Sequence, residues 1–235
     1  MILEAVLLSL LAGGSIFVGA LLASCENLRP RWLEQELRHT IIAFGGGALL
    51  AAVALVLVPD GMNKQPAWLA LTSFFAGGVL FMLVDYVLAR KQWRISQLMA
   101  MLLDFMPEAM VIGAIIGEQY EMAVFMAVII AAQNLPESFN AYREIHARNH
   151  LSTRKLLLAF AAISLTGPLY VLVGTFALAS HPMLLGTLMT FCAGGILYLI
   201  FEDVAPNVPL QQSWAPPLGA VIGFMVGMAG HAIIG

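Results

Sequence analysis

Eight stretches of roughly twenty mainly apolar residues follow one another along this chain, joined by short polar connections. A helix needs about 20 such residues to cross the hydrocarbon core of a bilayer. The stretches fall at about 2–24, 40–59, 67–89, 97–117, 121–142, 156–179, 183–205 and 214–234. The first carries Glu4 and lacks a basic leading region, so it reads as a span rather than a signal peptide. None of the connections has room for a soluble domain. The expected architecture is therefore all-α, with residues 1–235 forming a single bundle of eight transmembrane helices.

Composition agrees. Of the 235 residues, 60% are hydrophobic and 11% charged, against about 25% charged in soluble domains. The surplus apolar surface needs the lipid bilayer as its partner. A net charge of -3 with no basic cluster argues against nucleic acid. Cys25 and Cys192 form neither a disulfide framework nor a CxxC metal site.

The basic residues orient the bundle. Arg29, Arg31 and Arg38 fall between the first two segments, and Arg90, Lys91 and Arg94 between the third and fourth. Arg143, Arg148, Arg154 and Lys155 fall between the fifth and sixth. Only Lys64 lies on the opposite side, so ten of the eleven basic residues share one face. Cytoplasmic loops collect Lys and Arg. The expectation is an integral plasma (inner) membrane protein with both termini outside, which requires an even number of spans.

Acidic residues, by contrast, fall within the apolar segments. Asp104 and Glu108 lie in the fourth, and Glu137 lies in the fifth beside Gln133 and Asn134. Asp85 is near the end of the third, where Arg90 and Lys91 offer local pairing. Asp60 closes the second, and Glu202 and Asp203 lie near the end of the seventh. Carboxylates at membrane depth face the bundle interior and need partners. With Lys and Arg assigned to the connections, the remaining partners are protons or bound cations. His146 and His150 share helical spacing near the basic face, a spacing that fits metal binding but is commoner in solvated loops.

The fourth and fifth segments share a pattern: Asp104-Phe105-Met106-Pro107-Glu108 and Gln133-Asn134-Leu135-Pro136-Glu137. In each, a ligand-capable residue and a glutamate stand at i and i+4, on one helix face a turn apart. Each proline removes a helical hydrogen bond and frees a carbonyl one turn back, at Leu103 and Ala132. Two such helices side by side would gather Asp104, Glu108, Gln133, Asn134 and Glu137 into a cation site. Gly-rich stretches at Gly45-Gly46-Gly47, Gly77-Gly78 and Gly194-Gly195 permit close helix packing, and such faces also suit a homodimer. The second and seventh segments each run from glycines to an acid near a proline, at Pro59-Asp60 and at Glu202-Asp203 with Pro206, as related repeats would.

The paired Pro-Glu helices, the Gly-rich spans and a three-two-three order together resemble the ZIP (Zrt/Irt-like protein) family of divalent-metal transporters, along nearly the whole chain. In that family the fourth and fifth spans carry His-Asn-x-Pro-Glu/Asp-Gly type motifs that form the transport site. Glu108, Asn134 and Glu137 match the motif, and Gln133 stands where His or Gln is usual. Asp104 takes the place of the usual His and Phe105 that of the usual Asn. The resemblance implies a 3+2+3 arrangement and uptake of zinc, iron, manganese or cadmium ions into the cytoplasm by alternating access. In this reading the metal ion is the transported substrate, there is no cofactor, and the protein is not an enzyme.

The departures shape the expectation. Asp104 in place of His hardens the ligand set toward Mn²⁺ or Mg²⁺. Leu165-Thr166-Gly167-Pro168-Leu169, in the sixth segment, has no acid to hold a second metal, so one central ion is expected. The short stretch from Lys91 to Gln97 replaces a His-rich loop common in relatives. The competing readings are a proton-linked carrier of another solute and a non-transporting relative. An intramembrane lipid-phosphate enzyme would need Lys or Arg to hold phosphate, and the eight segments contain none.

Overall fold

A computed structural model describes residues 2–25, 31–90, 96–149, 152–208 and 213–234. Among them there is no strand: helix follows helix through α1 (Ile2–Cys25), α2 (Arg31–Ala52), α3 (Val58–Asn63), α4 (Ala67–Arg90) and α5 (Ser96–Ile115), then α6 (Tyr120–Asn149), α7 (Thr153–Ser164), α8 (Gly167–Val173), α9 (Pro182–Leu199) and α10 (Ala215–Ile234). Among the described residues, seven helical rods are long and apolar enough to cross a membrane. They are Ile2–Cys25, Glu36–Asn63, Ala67–Leu88, Tyr120–His146, Thr153–Leu178, Pro182–Val204 and Ala215–Ile233. The fourth expected segment is the helix α5, which is not among the seven. It carries Asp104 and Glu108 and is almost wholly enclosed, with only Met106 strongly exposed along Asp104–Ile116. A helix surrounded by other helices does not need an apolar face all round.

Proline follows two of the places where the rods deviate from regular helix. Pro59 and Pro206 have no N–H to donate and would crowd the carbonyl four residues back. Just ahead of each, the chain widens into a π turn, Val53–Leu57 and Ile200–Val204, with Val58 N–H donating to Val53 O and Ala205 N–H to Ile200 O. A third π turn, Gly174–Leu178, continues α8. The sixth expected segment is therefore interrupted: α7 ends at Ser164 and α8 restarts at Gly167 with Pro168 in its first turn. By contrast, α5 and α6 run through Pro107 and Pro136 as single helices.

Glycine sets how closely the rods pack. Gly77 on α4 lies against the carbonyl of Phe191, and Gly194 on α9 lies against that of Phe74. The same reciprocal contact joins α2 to α10, where Gly47 meets Ala220 O and Gly223 meets Phe44 O. It recurs where Gly113 of α5 meets Val171 O and Gly174 meets Met110 O. Any Cβ at these positions would overlap backbone, so backbone-to-backbone approach is what these residues provide. The Gly-rich stretches singled out in the sequence are thus spent inside one chain.

The most extensive contacts are α1 with α6, α2 with α10, and α4 with α9, while α5 packs on α6, α8 and α9. Large apolar side chains remain outside: Trp68, Leu71 and Phe75 on α4, Leu218, Val221 and Met225 on α10, and Leu3, Leu7 and Leu11 on α1. Exposed apolar surface on this scale is lipid-compatible and far beyond the scattered patches of a soluble monomer.

Candidate cation site

Helices α5 and α6 lie side by side, and their i, i+4 spacing turns the acidic and amide residues to a common interior. Asp104, Glu108, Gln133 and Asn134 are buried, and Glu137 is half-buried. The Gln133 Nε2 amide donates to both carboxylate oxygens of Glu108, at 2.9 and 2.8 Å, and reaches Asp104 Oδ2 at 3.3 Å. Asn134 donates from Nδ2 to the carbonyl of Ala12 on α1 at 3.3 Å. The carboxylates are close enough for Asp104 to act electrostatically on both Glu108 and Glu137, and for Asp203 to act on Glu137.

Asp104 Oδ1, Gln133 Oε1, Asn134 Oδ1 and Glu137 Oε2 are buried, and among the described residues none has a hydrogen-bond partner. All four are acceptors. Buried acceptors are nearly always paired with a donor, an ordered water or an ion, and leaving one unmet costs about 1–3 kcal/mol. Of these four residues, Asp104 and Glu137 line the cavity described below, and carboxylate oxygens are of the type that hard cations prefer. The Gln133 amide group meanwhile stands between the carboxylates of Asp104 and Glu108 as a neutral stand-in for positive charge. Among the described residues no three His, Cys, Asp or Glu side chains converge on one point, so any ion bound here would take amide oxygens as well as carboxylates.

A cavity of about 80 Å³ touches this cluster. It is lined by Asp104 and Glu137 and extends toward the end of the bundle where α2 begins, past Asn140, Arg38 and Asp203. The pair Glu108–Gln133 is not among its lining residues and sits deeper in the protein. Gly45, whose missing side chain leaves room for the Pro136 ring, and Gly46 complete the wall on α2.

Several expectations need correction. Arg38, assigned to a connection, lies inside the rod Glu36–Asn63 and lines the cavity with the carboxylates. Hydropathy marks where a chain turns apolar, whereas α2 begins earlier, at Arg31, and brings the arginine inside. Asp85 does not depend on Arg90: Tyr198 Oη of α9 donates to its Oδ2 at 3.2 Å, while the Arg90 guanidinium sits 4.9 Å over the Tyr86 ring; Lys91 lies outside the described residues. His146 stacks on Tyr142 with ring centres 5.6 Å apart, and His150 also lies outside the described residues.

Asp203, near the end of the seventh segment, lines the cavity from within the π turn Ile200–Val204, where one inserted residue rotates a helix by about 100°. Glu202 is exposed. Asp60, with Oδ2 buried and unpaired, belongs to α3 and is not part of the cluster. Phe105 offers nothing to an ion. It is fully buried, packed against Gly13 and Gly167 and edge-on to Tyr170 at 6.1 Å. Arg38 and Asn140 escaped the sequence reading, although Asn140 follows Glu137 by three residues and shares its face.

No protein-family model matches this chain, and comparison with curated proteins likewise gives no match.

Proposed function

We propose that this protein is a divalent-cation transporter of the ZIP type, with eight spans in a 3+2+3 arrangement and a single central ion held by Asp104, Glu108, Gln133, Asn134 and Glu137. The observation that carries the reading is the set of unpaired buried acceptor oxygens on α5 and α6, of which those of Asp104 and Glu137 belong to residues lining a cavity. Oxygen-only ligands suit Mn²⁺ and Mg²⁺, whereas imidazole and thiolate ligands suit Zn²⁺. The Gln133 amide holds the carboxylates together while no ion is bound and gives way when one arrives.

The helix pairing supports the arrangement. Exchanging the first three rods for the last three, and α5 for α6, converts the contact of α1 with α6 into that of α8 and its continuing π turn with α5. The same exchange converts α2 with α10 into α9 with α4. Transporters built from such repeats bind substrate where the repeats meet, near the bilayer midplane. The cavity extends toward the face that carries most of the basic residues, which the positive-inside rule makes cytoplasmic. Both termini are then outside, in the plasma (inner) membrane, and flow is inward. One arginine beside several carboxylates makes a poor phosphate cradle, and this supports a carrier rather than an enzyme.

The test is uptake of Mn²⁺, Fe²⁺, Zn²⁺, Cd²⁺ and Mg²⁺ into proteoliposomes of purified protein. Saturable flux of at least one ion, lost in both Glu108→Ala and Glu137→Ala, is expected. Flux that survives both substitutions rules out this site. A second reading, a proton-linked carrier in which the same acids relay protons, draws on the lack of three converging ionisable ligands among the described residues. It requires solute flux driven by a pH gradient and indifferent to metal.

A further inference from the structure

A second recess opens on the outside of the bundle. It is a groove of about 500 Å³ between α2, α10 and the chain from Ile200 to Val208, and every residue lining it is apolar or glycine. Ala43, Gly46 and Gly47 of α2 are buried and form its floor, while Val221 and Met225 of α10 are exposed along its rim. Both helices set out from the same end of the bundle, where Ser213 Oγ donates to Glu36 Oε1 at 2.6 Å. Just ahead of α10, Trp214 is 88% exposed, as suits a tryptophan at the level of lipid headgroups. The groove begins at Ala43 and reaches Leu50, roughly 7–18 Å past Arg38 along the axis of α2. That is acyl-chain depth in the leaflet at the Arg38 end.

The size and lining of the groove select its occupant. Water finds no polar partner there. Left empty, the groove would deprive its lining atoms of dispersion contacts on one side. A helix from a second copy is too wide: at about 10–12 Å across, a segment as long as Ala220–Met228 takes up about 1,000 Å³, twice the space present. A hydrocarbon chain is thin and flexible enough to follow the floor.

We propose that this groove is a binding site for one acyl chain of a bilayer phospholipid. The surrounding lipid is as apolar as the groove, so no hydrophobic gain holds the chain; contact on several sides rather than one does. Gly46 and Val204 line both the groove and the cation cavity, and the Val204 side chain lies against Gly46. The seated chain therefore rests on the outer side of the partition between lipid and cavity. Such a site requires a bilayer around the bundle and is indifferent to which solute the cavity takes.

The experiment uses full-length protein whose four native tryptophans are replaced by phenylalanine, in vesicles of phosphatidylcholine brominated midway along its chains. Phe224→Trp reports from the groove, and Leu218→Trp from the exposed face of the same helix. Bromine quenches on contact, so both reporters should be quenched. Adding Ala205→Phe, which puts a ring into the groove, should remove most of the quenching of the Phe224→Trp reporter and leave that of Leu218→Trp unchanged. Ala205→Leu replaces it if the larger side chain does not fold. An unquenched Phe224→Trp reporter overturns the proposal. Quenching there that survives filling of the groove also overturns it, since loosely surrounding lipid is then its source. Quenching that falls as the protein-to-lipid ratio rises assigns the groove to a second copy and overturns it likewise.

Discussion

Replacing Gln133 by leucine separates the two parts that its amide plays. The side chain is fully buried, with Nε2 at 2.9 and 2.8 Å from the oxygens of Glu108 and 3.3 Å from Asp104 Oδ2. Two amide hydrogens cannot serve three acceptors equally, and the longest contact counts least. Each short bond to a charged acceptor contributes about 1.5–3 kcal/mol. Gln133→Leu, nearly equal in volume, should therefore cost the ion-free protein about 3–6 kcal/mol. For a chain of this length about 2–4 °C accompanies each kcal/mol, so a fall of roughly 6–24 °C is expected for melting in EDTA. With Mn²⁺ bound the cation itself lies between the carboxylates, and the variant lacks only one neutral oxygen ligand. Saturating Mn²⁺ should raise the melting temperature of Gln133→Leu by more than it raises that of wild type. Thermal unfolding of detergent-purified protein, followed by intrinsic fluorescence, reads both numbers. Identical melting of the two proteins in EDTA would show that the amide bridge contributes nothing. An equal deficit with and without Mn²⁺ would show that no cation takes the amide's place.

Three further outcomes follow from the same geometry. Gly194→Val places a side chain into the backbone of Phe74 and should abolish recovery of monodisperse protein by size-exclusion chromatography, whereas Gly14→Ala, with nothing within 4 Å of the added carbon, should be recovered like wild type. Phe105→Asn installs the residue usual in ZIP proteins, yet it empties a fully buried site. It should lower stability by about 3–5 kcal/mol with no gain in Zn²⁺ uptake, measured by melting and by flux. Asp104→His softens the ligand set and should shift preference toward Zn²⁺ over Mn²⁺ by roughly tenfold in competition uptake; an unchanged ratio would remove Asp104 from the ligand set.

The helical segments were legible because a membrane helix declares itself locally. Each must be apolar over its length, and each satisfies its own backbone within the segment. The approximate bounds 67–89 and 183–205 therefore lie close to Ala67–Arg90 and to Pro182–Leu199 with its π turn. The Asp104–Glu108 and Gln133–Glu137 spacings were legible for the same reason, since residues at i and i+4 share a face whatever surrounds the helix. The start of α2 at Arg31 was not, because polar residues at a helix end resemble a connection in hydropathy.

What remained depended on contacts between distant parts of the chain. The sequence by itself determined that helices would form, that they would be apolar, and which faces of the two proline-containing helices carry acids and amides. Only the tertiary structure decided that Gln133 bridges Glu108 and Asp104, that Asp203 turns inward at a π turn, and that Arg38 enters the cavity. It also gave the glycines their partners, Gly77 with Phe191 and Gly47 with Ala220. The physical reason is range: backbone hydrogen bonding and helical periodicity act within a few residues, whereas charge neutralisation and close packing are settled by whichever helix arrives alongside.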